Sequence, residues 1–581
     1  AYDYDRNDNL TSVTKNGGGQ TQFTYDAIDR LSAVTYPSVG GVANSAEYAY
    51  SPVDKYLSIT HSPVSSTQPA VRYEYDKNDM LVKLYDPNNG SAEFMHNTEG
   101  RLRKSYYSSR YMNYRDYNSK GQITRVHTKH GSGTRLVDTV YAFDPNGNII
   151  RETFMDNSYT AYEYDQINQL TAEKYYNPAG ALTRQITYKY ESQYGGLLGN
   201  RTERTVTAGG TSTTMIYRYD AANQMTSSSE DTYTYDANGN LTQGERTYVY
   251  NAENRLIQII AGGATIAQYE YNQHGLRSKK TAGSLTEYYY YDNGHLSYIT
   301  DSGNALKYYF TRDDQGNLIN MVDWTSSPHK TYWYIFDAHD NVLGLVDDSG
   351  QFVVNYTYSA FGEILSSSGT ATTGDGVLLR NANPFRYSSY QYDTESGFYY
   401  LKSRYYLPFM GRFLTRDKVQ SNNGYVYCGN NPILYIDPSG NSSVDVKKGF
   451  EFMKEVLEKF SGFIKNTMPA KTTYGVRIPD FMNKRVVGEI KNVSYQYLSS
   501  QIRGFIEIAR KEGKMFVLVV SQRTRLSGPL IKEVRKVGGI ILQVGGNTSK
   551  RILAPVLFLK ELMDIYTKYY QEQAGWPTEI Y

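Results

Sequence analysis

Three charged residues near the C-terminal end of the chain have the types and the spacing of a metal-dependent catalytic site. Pro479-Asp480 precedes an apolar run that contains Glu489-Ile490-Lys491. In a β-strand, side-chain alternation places Glu489 and Lys491 on the same face, and burying such charges without a partner is costly. If Asp480 and Glu489 bind a divalent cation, their hard oxygen ligands suit Mg²⁺. Lys491 would orient or help to activate an attacking water, while the cation stabilises the charge that develops on a phosphodiester.

A simpler interpretation places Asp480 in a surface turn and the Glu489–Lys491 pair on a solvated edge strand. Pro-Asp followed by Glu-x-Lys is a short pattern, so the surrounding elements matter. Periodicity predicts helices and strands in alternation: helices over 444–466, around 502–509 and over 530–536, and strands over 485–493, 516–520 and 539–544. This alternation predicts one compact α/β domain.

Charge is divided unevenly along the chain. Of the 61 Lys and Arg residues 23 lie in 441–581, and of the 59 Asp and Glu residues 13 do, so this segment carries +10 and the remainder −8. A basic segment favours a nucleic-acid partner and attraction to the acidic remainder, although basic surface also serves solubility alone. The eight His residues all precede this segment. Their position argues against His-based ribonucleases and against Ser or Cys hydrolases that need a His base.

The rest of the chain repeats a Tyr-Asp signature. Tyr25-Asp26-Ala27-Ile28-Asp29-Arg30-Leu31 reappears in altered form at 75–81, 164–170 and 235–241. Aromatic and β-branched residues alternate up to an Asp-x-Asn-Gly turn, which predicts a β-hairpin in each unit. Tyr provides 60 residues against 20 Phe and 3 Trp, and its ring would pack on the sheet while its hydroxyl stays hydrated. Because hairpins must pair edge to edge, we expect a long, coiled antiparallel sheet with one face in water.

These units resemble the YD (RHS) repeats of bacterial RHS toxins, of the C subunit of insecticidal Tc toxins and of teneurins. The resemblance covers about residues 1–440. It implies a mainly β fold, in which a spiralling antiparallel YD-repeat β-shell, or cocoon, encloses a cargo polypeptide. An open β-solenoid used for adhesion or surface display is the alternative.

Residues 381–441 are similar to the RHS-associated core. The motifs that carry the similarity are Phe385-Arg386-Tyr387, 393–401, Arg404-Tyr405-Tyr406, 411–417, Asn430-Asn431-Pro432 and Asp437-Pro438-Ser439-Gly440. The resemblance implies an aspartyl autoprotease with Asp417 and Asp437 as paired acids and Arg416 as a supporting cation. Two carboxyls that share one site cannot both ionise cheaply, so the pair can activate a water.

The implied cleavage site lies just past the Asp-Pro-Ser-Gly motif, at Gly440, Asn441 and Ser442. The chain differs from the family pattern at two positions, with Lys418 where Pro is usual and Asn441 where Leu is usual. The alternative is that both aspartates only organise turns, as Asp before Pro commonly does.

The C-terminal pattern resembles the PD-(D/E)xK motif of restriction-endonuclease-like toxin domains. This resemblance spans about residues 444–545 and assigns catalysis to Asp480, Glu489 and Lys491, with Gln501 as the polar residue of the following helix. An acidic residue of the first helix, Glu455 or Glu458, would add a metal ligand, and the sequence leaves that choice open.

Together these observations predict a YD/RHS-repeat β-shell over 1–380, an RHS-associated core over 381–441 and a C-terminal α/β nuclease toxin domain over 442–581. We expect a secreted or delivered toxin that acts in the target cytoplasm during interbacterial competition. DNA is the favoured substrate, with RNA as the alternative, and the expected cofactor is Mg²⁺.

Expected partners are a cognate immunity protein and secretion or delivery machinery. The rival hypothesis is a non-enzymatic YD-repeat surface protein with a terminal binding module. The first residues fall inside a repeat, so we expect a longer parent chain. No apolar run approaches about 18 residues, so no membrane span is expected, and the single Cys428 excludes an internal disulfide.

Overall fold

The structure is a computed structural model of the chain. It describes residues 1–14, 19–52, 55–64, 70–77, 79–97, 101–108, 110–191, 199–417, 423–441, 444–445, 470–472, 475–477, 481–482, 486–491, 495–496, 500–511, 514–521, 525–526, 528–537, 539–544 and 550–553. The chain divides into two compact units. The first unit comprises Ala1–Pro37, Ala43–Ser62 and Lys447–Tyr581, and the second unit comprises Ser38–Val42 and Pro63–Val446. The three-segment division predicted above stays a prediction.

In the first unit, six repeat strands pair consecutively and antiparallel. They are β1 Tyr2–Tyr4, β2 Leu10–Thr14, β3 Gln20–Tyr25, β4 Leu31–Thr35, β5 Ser45–Tyr50 and β6 Tyr56–His61.

In the second unit, two long meanders follow. The first comprises β7 Val71–Tyr75, β8 Leu81–Tyr85, β9 Ser91–His96, β10 Leu102–Tyr107, β11 Tyr111–Tyr117, β12 Ile123–His130, β13 Arg135–Phe143, β14 Ile149–Thr153, β15 Tyr159–Tyr164, β16 Leu170–Tyr176, β17 Leu182–Tyr190, β18 Arg201–Ala208, β19 Thr211–Tyr219 and β20 Met225–Ser228. Each strand pairs antiparallel with the next, as the repeats require.

The second meander forms a 14-stranded sheet of the same kind. It comprises β21 Thr234–Tyr235, β22 Leu241–Gln243, β23 Thr247–Tyr250, β24 Leu256–Ala261, β25 Ala264–Tyr271, β26 Arg277–Ala282, β27 Leu285–Asp292, β28 His295–Thr300, β29 Leu306–Arg312, β30 Leu318–Asp323, β31 Lys330–Phe336, β32 Val342–Val346, β33 Phe352–Tyr358 and β34 Ile364–Ser368. The prediction of a mainly antiparallel β fold built from YD hairpins is confirmed.

The Asp of several Tyr-Asp pairs organises the turn that follows it, whereas Tyr291-Asp292 leads into a two-residue turn at Asn293 and Gly294. Asp236 Oδ1 accepts hydrogen bonds from the backbone N–H groups of Asn238 and Asn240, both at 2.9 Å. Gly239 adopts a φ of +79°, and the strand register shifts beside Tyr235, which marks a β-bulge. Of the Asn-Gly pair, only the glycine takes a positive φ. The turn is therefore a longer bulged loop and not a two-residue hairpin turn.

The recurrent tyrosine ties each hairpin to the one before it. The Tyr164 hydroxyl donates to the Ile149 carbonyl at 2.7 Å. The same bond joins Tyr117 to Leu102, Tyr190 to Leu170, Tyr219 to Arg201, Tyr250 to Leu241 and Tyr358 to Val342. The expectation of a hydrated hydroxyl is wrong at these positions, and burial raises the pKa of Tyr164 well above its usual range.

Replacing Tyr164 with Phe should therefore lower the free energy of unfolding by about 1 kcal/mol, because the Ile149 carbonyl loses its buried donor. Urea titration measures the change. The matched control is Tyr159→Phe, since Tyr159 stacks on Tyr176 with ring centroids 4.4 Å apart and needs no hydroxyl for that contact. Equal losses in the two variants would contradict the role assigned to the Tyr164 hydroxyl.

The two meanders of the second unit contact each other through turns. Asn320 Nδ2 donates to Asp86 Oδ2 at 2.5 Å, and Ala360 N donates to Glu173 Oε2 at 2.7 Å. Arg115 pairs with Asp340 at 3.0 Å. These contacts join residues more than 180 positions apart in the sequence, so the sheet winds back on itself.

Strands β28 to β31 are buried on both faces, as their continuous burial shows. Side chains of the first meander cover the second face, for example where Tyr107 stacks on Trp333 with ring centroids 5.4 Å apart. The expectation that one face of every strand lies in water is therefore wrong for these four strands.

Residues 379–445 form short elements rather than further repeats. They are α1 Leu379–Ala382, β35 Gln391–Asp393, β36 Phe398–Tyr400, β37 Tyr405–Leu407, β38 Arg412–Phe413, β39 Tyr435–Ile436 and β40 Val444–Asp445, with 3₁₀ turns at Tyr387–Ser389 and Cys428–Asn430. Tyrosines of this segment pack into the same hydrophobic clusters as the repeat strands.

Asparagines of this segment also bind the row of repeat turns. Asn431 Nδ2 donates to Asn148 Oδ1 at 2.9 Å, and Asn430 Nδ2 donates to Gln169 Oε1 at 2.8 Å. Asn148 itself belongs to a Tyr-Asp-type turn, in which it donates to Asp144 at 2.8 Å. The segment is thus fixed to several consecutive hairpins at once.

The C-terminal residues of the first unit form an α/β arrangement. The elements are β41 Ala470–Thr472, β42 Gly475–Arg477, β43 Phe481–Met482, β44 Val486–Lys491, β45 Tyr495–Gln496, α2 Ser500–Lys511, β46 Met515–Ser521, β47 Arg525–Leu526, α3 Gly528–Lys536, β48 Ile540–Val544 and β49 Lys550–Leu553. Strands β44, β46 and β48 are parallel, and α2 and α3 contribute Phe505, Leu530 and Val534 to the core.

This order confirms the alternating pattern predicted for 485–544. The predicted helix over 444–466 is wrong at its start, because Val444 and Asp445 form β40 and pair with Ile436 and Tyr435. The remainder of that helix lies outside the described residues.

Candidate functional site

Two aspartates distant in sequence meet at one arginine. Asp437 follows β39, and Asp417 lies after β38. Arg404 Nη2 lies 3.0 Å from Asp417 Oδ2 and 3.7 Å from Asp437 Oδ2. The side chains of Arg404, Asp417 and Asp437 are 6%, 9% and 2% exposed. A buried guanidinium in contact with two carboxylates offsets part of the cost of removing all three charges from water.

The same arginine binds the backbone at the implied cleavage site. Arg404 Nε donates to the Gly440 carbonyl, and Arg404 Nη1 donates to the Gly424 carbonyl at 2.8 Å. The guanidinium also lies 3.6 Å from the centroid of the Phe413 ring. Each nitrogen of the guanidinium thus has a partner and one of its faces lies on an aromatic ring, which fixes its position relative to Gly440.

Asp437 uses its two carboxylate oxygens differently. Oδ1 accepts hydrogen bonds from Gly440 N at 2.9 Å and Asn441 N at 3.2 Å, whereas Oδ2 is the oxygen nearer to Arg404. The turn-organising role that sequence reasoning offered as an alternative is present at Oδ1. The contact between Oδ2 and Arg404 is additional to it.

The segment that contains the Gly440–Asn441 bond is held on both sides. Ser403 N donates to the Ser439 carbonyl at 3.1 Å, and Asn441 Nδ2 donates to Ser403 Oγ at 2.7 Å. Beyond Asn441 the chain returns as β40 to pair with β39. The bond therefore lies in a closed loop, with Arg404 beside its carbonyl.

Gly440 has no room for a side chain. Its φ is +73°, and a Cβ placed there would lie 2.7 Å from the Leu401 carbonyl oxygen and 3.1 Å from Arg404 N. Both the left-handed backbone and the close backbone approach require glycine.

Gly440→Ala should therefore displace the Gly440 carbonyl from Arg404 and slow any cleavage at this bond by about 10²-fold, because misplacement by 1 Å can cost that much. The control is Gly376→Ala, which has a similar φ of +81° but no atom within 4 Å of the added Cβ. The fraction cleaved over time on a denaturing gel measures both, and equal slowing would contradict the steric argument.

Burial dominates the electrostatics around the pair. It lowers the pKa of the Arg404 guanidinium, although the carboxylates of Asp417 and Asp437 act in the opposite direction. Burial, followed by the Asp437 charge, raises the pKa of the Cys428 thiol well above its usual range. Cys428 is therefore a neutral thiol and not a competing nucleophile.

Arg404 is the cation that sequence reasoning missed. Arg416, which the family resemblance implied, donates its backbone N–H to the Gly239 carbonyl at 3.3 Å, whereas the guanidinium in contact with both carboxylates belongs to Arg404. Arg404 is 13 residues from Asp417, and no spacing rule joins them. The Arg404-Tyr405-Tyr406 motif was the only available signal.

The predicted nuclease residues fall on β44 and α2. Glu489 and Lys491 occupy alternate positions of β44, opposite Leu518 and Val520 of the parallel strand β46. Strand β43 pairs on the other side of β44 at Val487 and Gly488, so β44 is an interior strand at those two residues. For Glu489 and Lys491 the edge-strand interpretation remains the alternative. Gln501 lies in the first turn of α2.

Asp480, Glu455, Glu458 and the cleavage-site residue Ser442 lie outside the described residues. Within the residues that the structure describes, no three His, Cys, Asp or Glu side chains converge on a metal position. No helix in the same part of the chain is long and apolar enough to cross a membrane.

Three family models match the chain. Residues 4–38 match RHS Repeat, residues 176–433 match Teneurin YD-shell, and residues 453–530 match Restriction endonuclease fold toxin 7. The last of these ranges contains Asp480, Glu489, Lys491 and Gln501.

Curated relatives and solved structures agree with these models. The tRNA3(Ser)-specific nuclease WapA of Bacillus spizizenii is 30% identical over 359 residues, which are 56% of this chain and 14% of that protein. The tRNA(Glu)-specific nuclease WapA of Bacillus subtilis subsp. natto is 32% identical over 242 residues, 40% of this chain and 10% of that protein. The chain thus spans no more than 14% of the length of these relatives.

A structure of the Photorhabdus luminescens Tc holotoxin pore superposes on this chain with a TM-score of 0.53 at 15% sequence identity. The superposition covers 75% of this chain and 27% of the Tc toxin chain. At this identity the similarity concerns the fold alone.

Proposed function

We propose, on the premise that this chain is an RHS-repeat polymorphic toxin with a YD-repeat shell and a restriction-endonuclease-fold domain, that it cuts itself once and thereby frees a nuclease. The cut would follow Gly440. The observation that carries the proposal is the contact of one buried guanidinium, Arg404, with Asp417, Asp437 and the Gly440 carbonyl.

The proposal gives each group a role. Asp437 Oδ1 lies 3.2 Å from Asn441 N, the atom that would leave as an amine, so Asp437 would act as the general acid. Asp417 would take a proton from the water whose oxygen attacks the Gly440 carbonyl carbon. Arg404 Nε–H would stabilise the negative charge on the carbonyl oxygen. The Gly440–Asn441 bond then breaks, leaving a carboxylate at Gly440 and an amino group at Asn441.

The freed segment would be a Mg²⁺-dependent endonuclease. Asp480 and Glu489 would hold the metal, which supplies Lewis-acid stabilisation when bound. Lys491 would orient the attacking water, and Gln501 would contact the substrate or that water. The alternate positions of Glu489 and Lys491 on one strand, opposite Leu518 and Val520 of β46, support this assignment, and carboxylate donors suit Mg²⁺.

The substrate would be nucleic acid. The +10 charge of 441–581 favours a polyanion. DNA is the substrate that the sequence favours, and tRNA is the second candidate because two relatives are tRNA nucleases. Enclosure by the shell, a cognate immunity protein, a delivery system and action in the target cytoplasm belong to the same proposal.

Intact-mass analysis of the purified full chain tests self-cleavage directly. We expect two products, residues 1–440 and a product that begins at Asn441. A single species of full length after prolonged incubation would refute the cut. A cut elsewhere in the chain would refute the roles of Gly440 and Arg404.

A further inference from the structure

Residues 401–404 bind the segment around Gly440, and one residue of the repeat sheet holds this loop in place. Strands β36 and β37 form a hairpin in which Tyr400 lies opposite Tyr405. The connecting residues 401–404 make hydrogen bonds to the segment around the implied cleavage site. Ser403 binds Ser439 and Asn441, and Arg404 binds Gly440. We call residues 401–404 the clamp loop.

Both tyrosines at the base of the clamp loop bind Arg277 of β26. The backbone N–H of Arg277 donates to the Tyr400 hydroxyl at 2.8 Å, and Arg277 Nη1 donates to the Tyr405 hydroxyl at 3.3 Å. The guanidinium also lies 4.8 Å from the centroid of the Tyr400 ring. One residue of the repeat sheet therefore sets the position of both ends of the loop.

Arg277 is held by charges that do not contact the clamp loop. It is 1% exposed and pairs at 2.5 Å with Asp393, which is equally buried. Lys280 contacts Asp393 at 3.5 Å and Glu395 at 3.3 Å. A buried ion pair is weak evidence for stability but can impose a unique geometry, and the planar guanidinium can bind a carboxylate and a hydroxyl together.

We propose that Arg277 is a positioning residue for self-cleavage, which fixes the clamp loop through Tyr400 and Tyr405 so that Arg404 reaches the Gly440 carbonyl. The proposal rests on the self-cleavage proposed above. Because Arg277 belongs to the fourteen-stranded sheet, the cutting site is complete only when that part of the shell has folded.

Two variants of the full chain test this role through the cleavage rate. Arg277→Lys keeps a positive charge beside Asp393 but cannot also bind the Tyr405 hydroxyl, so cleavage should slow at least 10-fold while the urea midpoint changes little. The double variant Tyr400→Phe/Tyr405→Phe leaves the Arg277–Asp393 pair intact and should slow cleavage similarly. Combining it with Arg277→Lys should not slow cleavage beyond the double variant, because the double variant already removes the Tyr405 hydrogen bond that Arg277→Lys removes, together with the bond from the backbone N–H of Arg277 to Tyr400.

Lys280→Met is the matched control. It removes a charge from the same network without touching either tyrosine, so it should lower the urea midpoint and leave the cleavage rate unchanged. Wild-type cleavage in both Arg277→Lys and the double Phe variant would overturn the proposal, as would equal slowing in Lys280→Met. If the wild-type chain itself stays intact, the self-cleavage proposal fails first, and the two failures are thus distinguishable.

Discussion

Asp437→Asn should leave the full-length chain uncut, where the wild type yields two fragments. The amide keeps the shape of the carboxyl group and an acceptor oxygen for Gly440 N, so the turn survives. It cannot deliver a proton to the departing Asn441 nitrogen, and removing an acid–base group of this kind costs about 10²–10⁴-fold in rate. Asp417→Asn should have a similar effect because it removes the proposed base. A denaturing gel followed over time measures both.

Substitutions of Arg404 test the proposed catalytic role without changing an aspartate that organises a turn. Arg404→Gln removes the donor beside the Gly440 carbonyl, and the loss of one such donor costs about 10²–10³-fold. Arg404→Lys keeps a charge but has one point of attachment where the guanidinium has several, so it too should cleave slowly.

Asp220→Asn is the matched control for the aspartate variants. Asp220 Oδ1 accepts the N–H groups of Ala222 and Gln224, both at 2.9 Å, in a repeat turn. The control loses one charge from an Asp-organised turn and should cleave like the wild type. If Asp437→Asn also cleaves at the wild-type rate, Asp437 only organises its turn, and the autoprotease assignment is wrong.

Glu489→Gln and Lys491→Ala should abolish degradation of nucleic acid by residues 442–581. The first change removes the proposed metal ligand and the second removes the cation proposed to orient water, each expected to cost at least about 10³-fold, in line with metal-ion and acid–base contributions. Plasmid DNA and tRNA are incubated separately with the wild-type segment in Mg²⁺ and in EDTA. We expect metal-dependent loss of one substrate, which also identifies the nucleic acid.

Glu507→Gln and Lys511→Ala provide charge-matched controls on α2, where the two residues form an exposed ion pair at 2.5 Å. Both should retain nuclease activity, since surface pairs contribute little to stability. If the wild-type segment degrades neither substrate in Mg²⁺, the terminal segment is a binding module. Activity that persists in Glu489→Gln would remove that residue from the metal site.

The hairpin repeats could be predicted because their determinants are local. An Asp five residues before the next strand begins organises its own turn, and side-chain alternation fixes the faces of each strand. The α/β pattern of 485–544 was predictable for the same reason, since buried strands such as β46 are apolar throughout and α2 is amphipathic.

The sequence by itself therefore determined the repeat architecture, the position of its end near Gly440 and the residue types available for chemistry. The tertiary structure decided which of those residues meet. Three features depend on how the chain folds back on itself: the hydrogen bond from Tyr164 to the Ile149 carbonyl, the burial of β28 to β31 on both faces, and the contact of Arg404 with Asp417 and Asp437. Sequence periodicity carries no information about such contacts. The sequence gives the charge and length of each side chain, but the winding of the sheet determines which side chains become its neighbours.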